Sequence, residues 1–306
     1  MDNVHNIELP ATRRELSVES GSDLNGSLEM LGPIMSQRQF GFFRKLAMAQ
    51  AGIALADYKL NMVQRRVSKR LRALQLNDFA SYVDYLQSRE NEAEIEHFIN
   101  ALTTNKTDFF REKHHFEHMS AVALPELVAH AGKTTYRKLR VWSAGCSSGQ
   151  EPYTIAMTMA EALVESVKWD AKILATDIDT EMVGVGRVGT YPWSDLQHIP
   201  QHLRMKYVEP LSVSEECGRL SSALRSLITF NPLNLHGAWP MKGKFDIIFC
   251  RNVIIYFDKP SQCLLFERFA NQMKDGGWLY IGHSESLYKV SERFRQVGQS
   301  IYQKVC

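Results

Sequence analysis

Apolar residues recur at helical spacing from Gln37 to about Phe116, with one apolar stripe on each segment. The clearest stripe follows Asp57, which we expect to be an N-cap, and comprises Leu60, Val63, Val67, Leu71 and Leu74. This pattern predicts a small all-α domain over residues 34–116. Residues 1–33 are rich in Ser, Gly, Asn and acids and show no sustained period, which indicates a flexible leader.

Beyond about Lys138, short β-runs alternate with helices, which is typical of a doubly wound parallel sheet. The predicted strands are 138–143, 172–175, 227–230, 245–250 and 278–282, followed by a closing hairpin within 294–305. Residues 189–226 do not fit this repeat, so we expect an inserted subdomain there. The predicted fold class is therefore α/β, with a helical N-terminal domain and a Rossmann-like domain over 117–306.

Composition narrows the class of protein. Hydrophobic residues make up 44% and charged residues 23% of the 306 residues, a balance that favours a folded globular protein over disorder. The net charge of +2 is too small to predict nucleic-acid binding. The five cysteines are scattered without CxxC spacing, so we expect a reducing cytoplasm and no disulfide framework. The adjacent residues His114 and His115 point in different directions on any regular element, so we expect no metal site there. No long apolar run or signal-like start predicts membrane insertion or export.

The segment after Asp57 carries a basic face opposite its apolar stripe. At about 100° per residue the cations share one arc with little acidic compensation: Arg65, Arg66, Lys69, Arg70 and Arg72. A solvated face and an electrostatic dock for an acidic partner both explain this arrangement. We favour the dock, because five uncompensated cations repel one another.

The first predicted strand runs into residues 144–149 (AGCSSG) and then a helix, an arrangement that lets the backbone approach a nucleotide closely. The turn departs from the dinucleotide pattern G-x-G-x-x-G and is a weak signal alone. Asp177 ends the next strand, where an acid accepts hydrogen bonds from ribose hydroxyls, although an aspartate there also serves as an N-cap. Together the two features predict an adenosine-type ligand.

Five collinear segments carry the most specific patterns: 102–112 (LTTNKTDFFRE), 141–153 (VWSAGCSSGQEPY), 175–179 (ATDID), 231–235 (NPLNL) and 249–257 (FCRNVIIYF). These segments resemble the CheR family, and the likeness extends from about Ser36 to the C-terminus. The resemblance implies a protein-glutamate O-methyltransferase of chemoreceptors, with S-adenosylmethionine as cofactor and S-adenosylhomocysteine as product.

The resemblance also implies roles for particular residues. Glu151 holds the methionine amino group of the cofactor and Asp177 its ribose. The other implied cofactor contacts are Asn105, Thr107, Arg111, Asn234, Leu235, Arg251 and Asn252. Gly145 is a further candidate contact, because it belongs to the glycine-rich turn after the first strand. Taken singly, several of these have structural explanations, namely helix capping by Asn105 or Thr107, an ion pair of Arg251, or a turn at Asn234.

The implied reaction needs no strong base, because a glutamate carboxylate, with a pKa of about 4.3, is already ionised at neutral pH. Catalysis then consists of alignment and desolvation. We expect Arg111 to bind the substrate carboxylate and Tyr256 to donate a hydrogen bond near it.

The implied partner is the acidic cytoplasmic helical domain of chemoreceptors, which complements the basic face, and we expect the enzyme to be a monomer. Residues 212–218 (SVSEECG) lack the glycine-rich turn of family members that tether a receptor C-terminal peptide, so we expect no tethering. Residues 231–234 (NPLN) echo a motif of nucleic-acid base methyltransferases, but they precede the fourth strand and no aromatic residue follows the proline. A scaffold without activity is a third alternative, disfavoured by the presence of Arg111, Asp177 and Tyr256.

Overall fold

The first helices form because their ends are capped and one face is apolar. A computed structural model describes residues 33–130, 137–163, 169–211 and 216–305, so the predicted leader lies outside the described residues apart from Pro33. Ser36 begins the first helix with a capping box, and Gly52 ends it in the left-handed conformation at φ 68°. The N-terminal helices are α1 Gln37–Ala51, α2 Leu60–Ala73, α3 Phe79–Gln87 and α4 Glu92–Leu102.

The four helices share one apolar core. Phe43 packs against Tyr82 and Phe98, with ring centroids 6.0 and 5.5 Å apart, and Val63 and Val67 of α2 are fully buried beside them. The predicted N-cap is wrong, because Asp57 opens a 3₁₀ turn over Asp57–Lys59 and its carboxylate pairs with Arg44 instead.

Residues after the linker belong to the sheet rather than to the helical core. Helices α5 His114–His118 and α6 Leu124–His130, joined by a π-helical turn, pack on the sheet, and the ring of Phe116 stacks 5.7 Å from Phe249. The helical core therefore ends near Leu102, earlier than the boundary at 116 expected from periodicity, because periodicity does not show what a helix packs against.

The remaining chain builds two sheets. The strands are β1 Arg137–Ala144, β2 Trp169–Asp177, β3 Thr190–Pro192, β4 Val208–Pro210, β5 Cys217–Leu220, β6 Ile228–Pro232, β7 Phe245–Cys250, β8 Met273–Ile281, β9 Phe294–Gly298 and β10 Ile301–Lys304. The later helices are α7 Gln150–Ala162, α8 Thr180–Val188, α9 Trp193–Leu196, α10 Gln201–Tyr207, α11 Ser222–Arg225 and α12 Lys259–Gln272.

The large sheet has the order β6-β2-β1-β7-β8-β10-β9, in which the first five strands are parallel and β9 and β10 form an antiparallel hairpin. Every residue of β7 is buried, because helices cover both faces of the sheet. The chain runs from β1 outward to β2 and later returns to β7 on the other side of β1. This reversal opens a crevice at the carboxyl ends of the three strands, where ligands bind in doubly wound folds.

The predicted insertion forms a small sheet of its own, with the order β3-β5-β4 and antiparallel pairing throughout. Residues 212–215, where the absence of a glycine-rich turn predicts no peptide tethering, lie outside the described residues. Within the described ranges, no helix has the length and apolar character needed to cross a membrane.

Candidate active site

The carboxyl ends of β1, β2 and β7 open into a cavity of about 390 Å³, closed above by the linker after α4. The structure brings every predicted cofactor and catalytic residue to the wall of this cavity: Asn105, Thr107, Arg111, Gly145, Glu151, Asp177, Asn234, Leu235, Arg251, Asn252 and Tyr256. Residues from five separated segments of the sequence therefore meet at one place.

The turn after β1 needs glycine. Gly145 has φ +85°, and a Cβ there would lie 2.2 Å from Cγ2 of Val253. Its backbone N–H donates to the carbonyl of Thr176 on β2 at 2.7 Å, which holds the turn against the neighbouring strand. The side chain of Val253 therefore occupies the space that a Cβ of residue 145 would need, and glycine lets the turn adopt this conformation at the cavity wall.

Asp177 ends β2 and is only 8% exposed. One carboxylate oxygen accepts a hydrogen bond from the backbone of Ser147 at 2.7 Å, and the other accepts one from the backbone of Asp179 at 2.9 Å. Burial raises the pKa of Asp177, although these hydrogen bonds oppose the effect. The N-cap role that we considered for Asp177 belongs instead to Asp179, whose carboxylate accepts hydrogen bonds from backbone N–H groups in the first turn of α8.

Glu151 lies in the first turn of α7 and is also buried. Its carboxylate accepts from the hydroxyl of Ser143 at 2.7 Å and from the guanidinium of Arg251 at 3.1 Å. Burial raises the pKa of Glu151, and Arg251 opposes this rise. The ion pair that we gave as an alternative role for Arg251 is thus present. The acid of this pair, Glu151, is itself a predicted cofactor contact.

Arg251 connects the floor of the cavity to its rim. Beyond Glu151, its guanidinium donates to the backbone carbonyl of Arg111, lies 3.4 Å from the carboxylate of Glu112 and stands over the ring of Phe116. It therefore fixes the backbone at Arg111, while the carboxyl groups of Glu112 and Glu151 flank it on two sides. Arg111 itself directs its guanidinium to the carbonyl of Lys106 at 2.9 Å, which leaves the head group at the rim.

The loop after β7 is held by Glu285, which sequence reasoning missed. Its carboxylate accepts from the backbone N–H groups of Asn252, Ile254 and Gly282 at 3.1, 2.9 and 2.6 Å. Asn252 has φ 60°, a left-handed conformation that such support stabilises. The available signal in the sequence was that Glu285 lies just after the end of a predicted strand. His283 and Ser284 lie in the same segment, and both line the cavity.

The linker that closes the cavity is attached to the sheet by polar contacts. The side-chain amide of Asn105 donates to Asp179 at 2.7 Å, and the backbone carbonyl of Asn105 accepts from the hydroxyl of Ser147 at 3.0 Å. Asn105 therefore does not cap a helix. Thr107 lies farther along the same wall.

Two further contacts join the helical part to this cavity. The side-chain amide of Asn234 donates to the carbonyl of Gln50 in α1 and accepts from the backbone N–H of His236. Asn234 therefore also stabilises a turn, which is the structural role that we gave as an alternative. The carbonyl of Tyr256 accepts from the N–H of Ala54 at 2.8 Å. Tyr256 is thereby placed at the edge where the helical part meets the sheet.

Two of the five predicted docking cations are engaged inside the protein. The guanidinium of Arg66 donates to backbone carbonyls at the end of α4, including that of Leu102, and to the hydroxyl of Thr104. Arg70 pairs with Glu94, with both hydrogen bonds at 2.8 Å. The expectation of a face without acidic compensation is therefore wrong for Arg70. The exposed cations of α2 are Arg65, Lys69 and Arg72.

Among the described residues, no group of three or more His, Cys, Asp or Glu side chains is placed to hold a metal ion. The chemistry of the cavity is instead set by acids on its floor, Glu151 and Asp177, and by donors at its rim, Arg111 and Tyr256. Such a cavity accommodates a cationic ligand below and an anionic one above.

Comparison with known proteins identifies the family. Residues 105–303 match the family model described as CheR methyltransferase, SAM binding domain, and residues 38–103 match CheR methyltransferase, all-alpha domain. A probable chemotaxis protein methyltransferase of Rhizobium etli is 41% identical over 83% of this chain and 95% of its own length. Chemotaxis protein methyltransferases of Salmonella typhimurium and Escherichia coli are each 41% identical over 88% of this chain, covering 90% and 91% of their own lengths. The chain therefore belongs to the CheR family of S-adenosylmethionine-dependent methyltransferases.

Proposed function

We propose that this enzyme transfers a methyl group from S-adenosylmethionine to glutamate side chains on the cytoplasmic helical domain of chemoreceptors. The products are glutamate methyl esters and S-adenosylhomocysteine, and the enzyme acts as a monomer. The relatives named as chemotaxis protein methyltransferases support this assignment. The observation that carries it is one cavity with buried acids on the floor and cationic or hydroxyl donors at the rim.

The floor of the cavity fits the cofactor. Glu151 and Asp177 are buried carboxylates whose pKa values burial raises, so a ligand that brings positive charge and hydroxyl donors stabilises their ionised forms. Asp177 would hold the ribose and Glu151 the amino group, with Gly145 allowing close approach. The remaining wall residues in this role are Asn105, Thr107, Arg111, Asn234, Leu235, Arg251 and Asn252. When bound, S-adenosylmethionine supplies an electrophilic methyl group on a positively charged sulfur.

The rim of the cavity fits a carboxylate. A glutamate has a pKa of about 4.3 and is ionised at neutral pH, so the chain need not remove a proton. Arg111 and Tyr256 donate hydrogen bonds that orient the carboxylate, and the closed linker excludes water from it. Orientation and desolvation are therefore the contributions of this chain to the reaction.

Receptor docking rests on the exposed cations of α2, namely Arg65, Lys69 and Arg72, which complement an acidic helical partner. Charge reversal of all three raises the KM for receptor and leaves cofactor affinity unchanged, because none of them lines the cavity. Lys45→Glu, at an exposed lysine on α1, is the matched control. Equal KM values for the triple variant and the control would remove the docking assignment.

The function is tested by incubating the enzyme with S-adenosylmethionine labelled in the methyl group and membranes that contain chemoreceptors. Label on the receptor that alkali releases as methanol is expected, because carboxyl methyl esters are labile to base. Arg111→Ala and Tyr256→Phe are expected to lower the rate of transfer. Stable label, or label on nucleic acid instead, would contradict the proposal.

A further inference from the structure

A histidine and a glutamate form a pair beside the cavity, close to Arg111 and Arg251 of its wall. His283 follows β8, and both its backbone N–H and its ring Nδ1 lie within hydrogen-bond reach of Oε1 of Glu112, at 3.3 and 2.8 Å. The side chain of Glu112 is 10% exposed, whereas that of His283 is 58% exposed and forms part of the cavity wall. One side of the ring is therefore fixed by Glu112, and the rest of the ring is exposed.

Glu112 is itself firmly placed. Its backbone adopts φ 55°, and its second carboxylate oxygen lies 3.4 Å from the guanidinium of Arg251, which also binds Glu151. Although burial acts to raise the pKa of Glu112, Arg251 and His283 together hold this pKa below its ordinary value. Glu112 is thus a carboxylate ion at neutral pH, and the proton in its hydrogen bond with His283 resides on Nδ1.

The second ring nitrogen of His283 has no hydrogen bond to any residue that the structure describes. Building on the function proposed above, we infer that His283 is a further catalytic residue, whose Nε2–H donates to the carboxylate of the glutamate being methylated. Glu112 is its positioning residue, because it fixes the ring orientation through Nδ1. When both ring nitrogens carry a proton, Nδ1–H donates to Glu112 and Nε2–H donates to the substrate carboxylate.

This arrangement suits the chemistry of the reaction. An O–C bond forms and an S–C bond breaks without transfer of a proton, so the histidine orients the carboxylate and does not act as a base. The anionic carboxylate becomes a neutral ester, which is a weaker hydrogen-bond acceptor for Nε2–H than the substrate was. The same contact that orients the substrate therefore does not retain the product.

Two substitutions separate this role from a merely structural one. In His283→Gln the amide nitrogen replaces Nε2, whereas in His283→Asn it replaces Nδ1 and retains only the contact with Glu112. We expect His283→Asn to lower kcat/KM for receptor by roughly 10-fold or more, the effect of one hydrogen bond to a charged carboxylate, and His283→Gln to retain more activity. His202→Asn, at an exposed histidine on α10 outside the cavity, is the matched control.

Calorimetric affinity for S-adenosylhomocysteine is measured for every variant and is expected to change less than twofold, roughly, since a contact with substrate alone leaves product binding intact. Greater activity in His283→Asn than in His283→Gln would show that only the contact with Glu112 matters and would overturn the inference. Equal activity of His283→Asn and wild type would overturn it as well. If the wild-type enzyme forms no base-labile ester on receptors, the proposed function fails first, and the role of His283 fails with it.

Discussion

Replacing Arg70 by methionine tests whether this cation is structural or available for docking. Its guanidinium forms two hydrogen bonds of 2.8 Å with Glu94, whose side chain is 5% exposed, and Glu94 has one further donor in the hydroxyl of Tyr82 at 2.8 Å. Arg70→Met leaves a buried carboxylate with that single donor. Breaking a buried pair on one side costs about 3–5 kcal/mol, and the 21% exposure of Arg70 places the expected loss near the lower limit.

A loss of about 3 kcal/mol is a large part of the stability of an ordinary domain and is measurable by urea unfolding followed by circular dichroism. The control Lys69→Met removes the neighbouring exposed cation and is expected to change stability by less than about 0.5 kcal/mol. Adding Glu94→Gln to Arg70→Met removes the unpaired charge and restores part of the loss, which a double-mutant cycle quantifies. Equal stabilities of Arg70→Met and Lys69→Met would refute the structural role.

Three further predictions concern the linker, the cavity floor and the buried histidine. Arg66→Ala is expected to destabilise the protein by about 2 kcal/mol, because carbonyls at the end of α4 lose a charged donor, whereas Arg65→Ala changes stability little; urea unfolding compares them. Gly145→Ala is expected to weaken binding of S-adenosylhomocysteine, measured by calorimetry, at least about tenfold, since its Cβ meets Val253 and φ is +85°. Burial lowers the pKa of His115 to about 3, so only the unfolded chain takes up this proton below pH 6.5. The histidine therefore lowers the unfolding free energy by about 1.4 kcal/mol per pH unit as pH falls from 6.5 towards 3, and His115→Phe reduces that slope in unfolding measured at several pH values.

Local patterns were sufficient for the strands of the large sheet and for two residues of the cavity wall. The strand covering 245–250 was predicted at its observed bounds, because an uninterrupted apolar run is typical of a strand buried on both faces. Gly145 and Asp177 were placed by the same logic, since the carboxyl ends of adjacent parallel strands lie together in any sheet of this class. These inferences depend only on neighbouring positions in the chain.

Contacts between segments that are distant in the chain could not be predicted from such local patterns. Helical periodicity placed Arg66 and Arg70 on a polar arc, but it does not reveal that α4 covers part of that arc and supplies carbonyls and Glu94 as partners. The pair of Glu112 and His283 joins positions 171 residues apart, and nothing local to either residue indicates the other. Residues that support a site from behind are therefore the ones that sequence reasoning missed.

The position of the linker has a consequence for any attempt to treat the chain as separable modules. Ala51, Ile53 and Leu102 of the helical part form one wall of the cavity, although the family region named for cofactor binding begins at residue 105. An excised fragment starting there would present an open trough to solvent, with its buried acids hydrated. Exchanging the N-terminal helices between relatives therefore also exchanges one wall of the cavity, and the new helices must match the sheet that they cover.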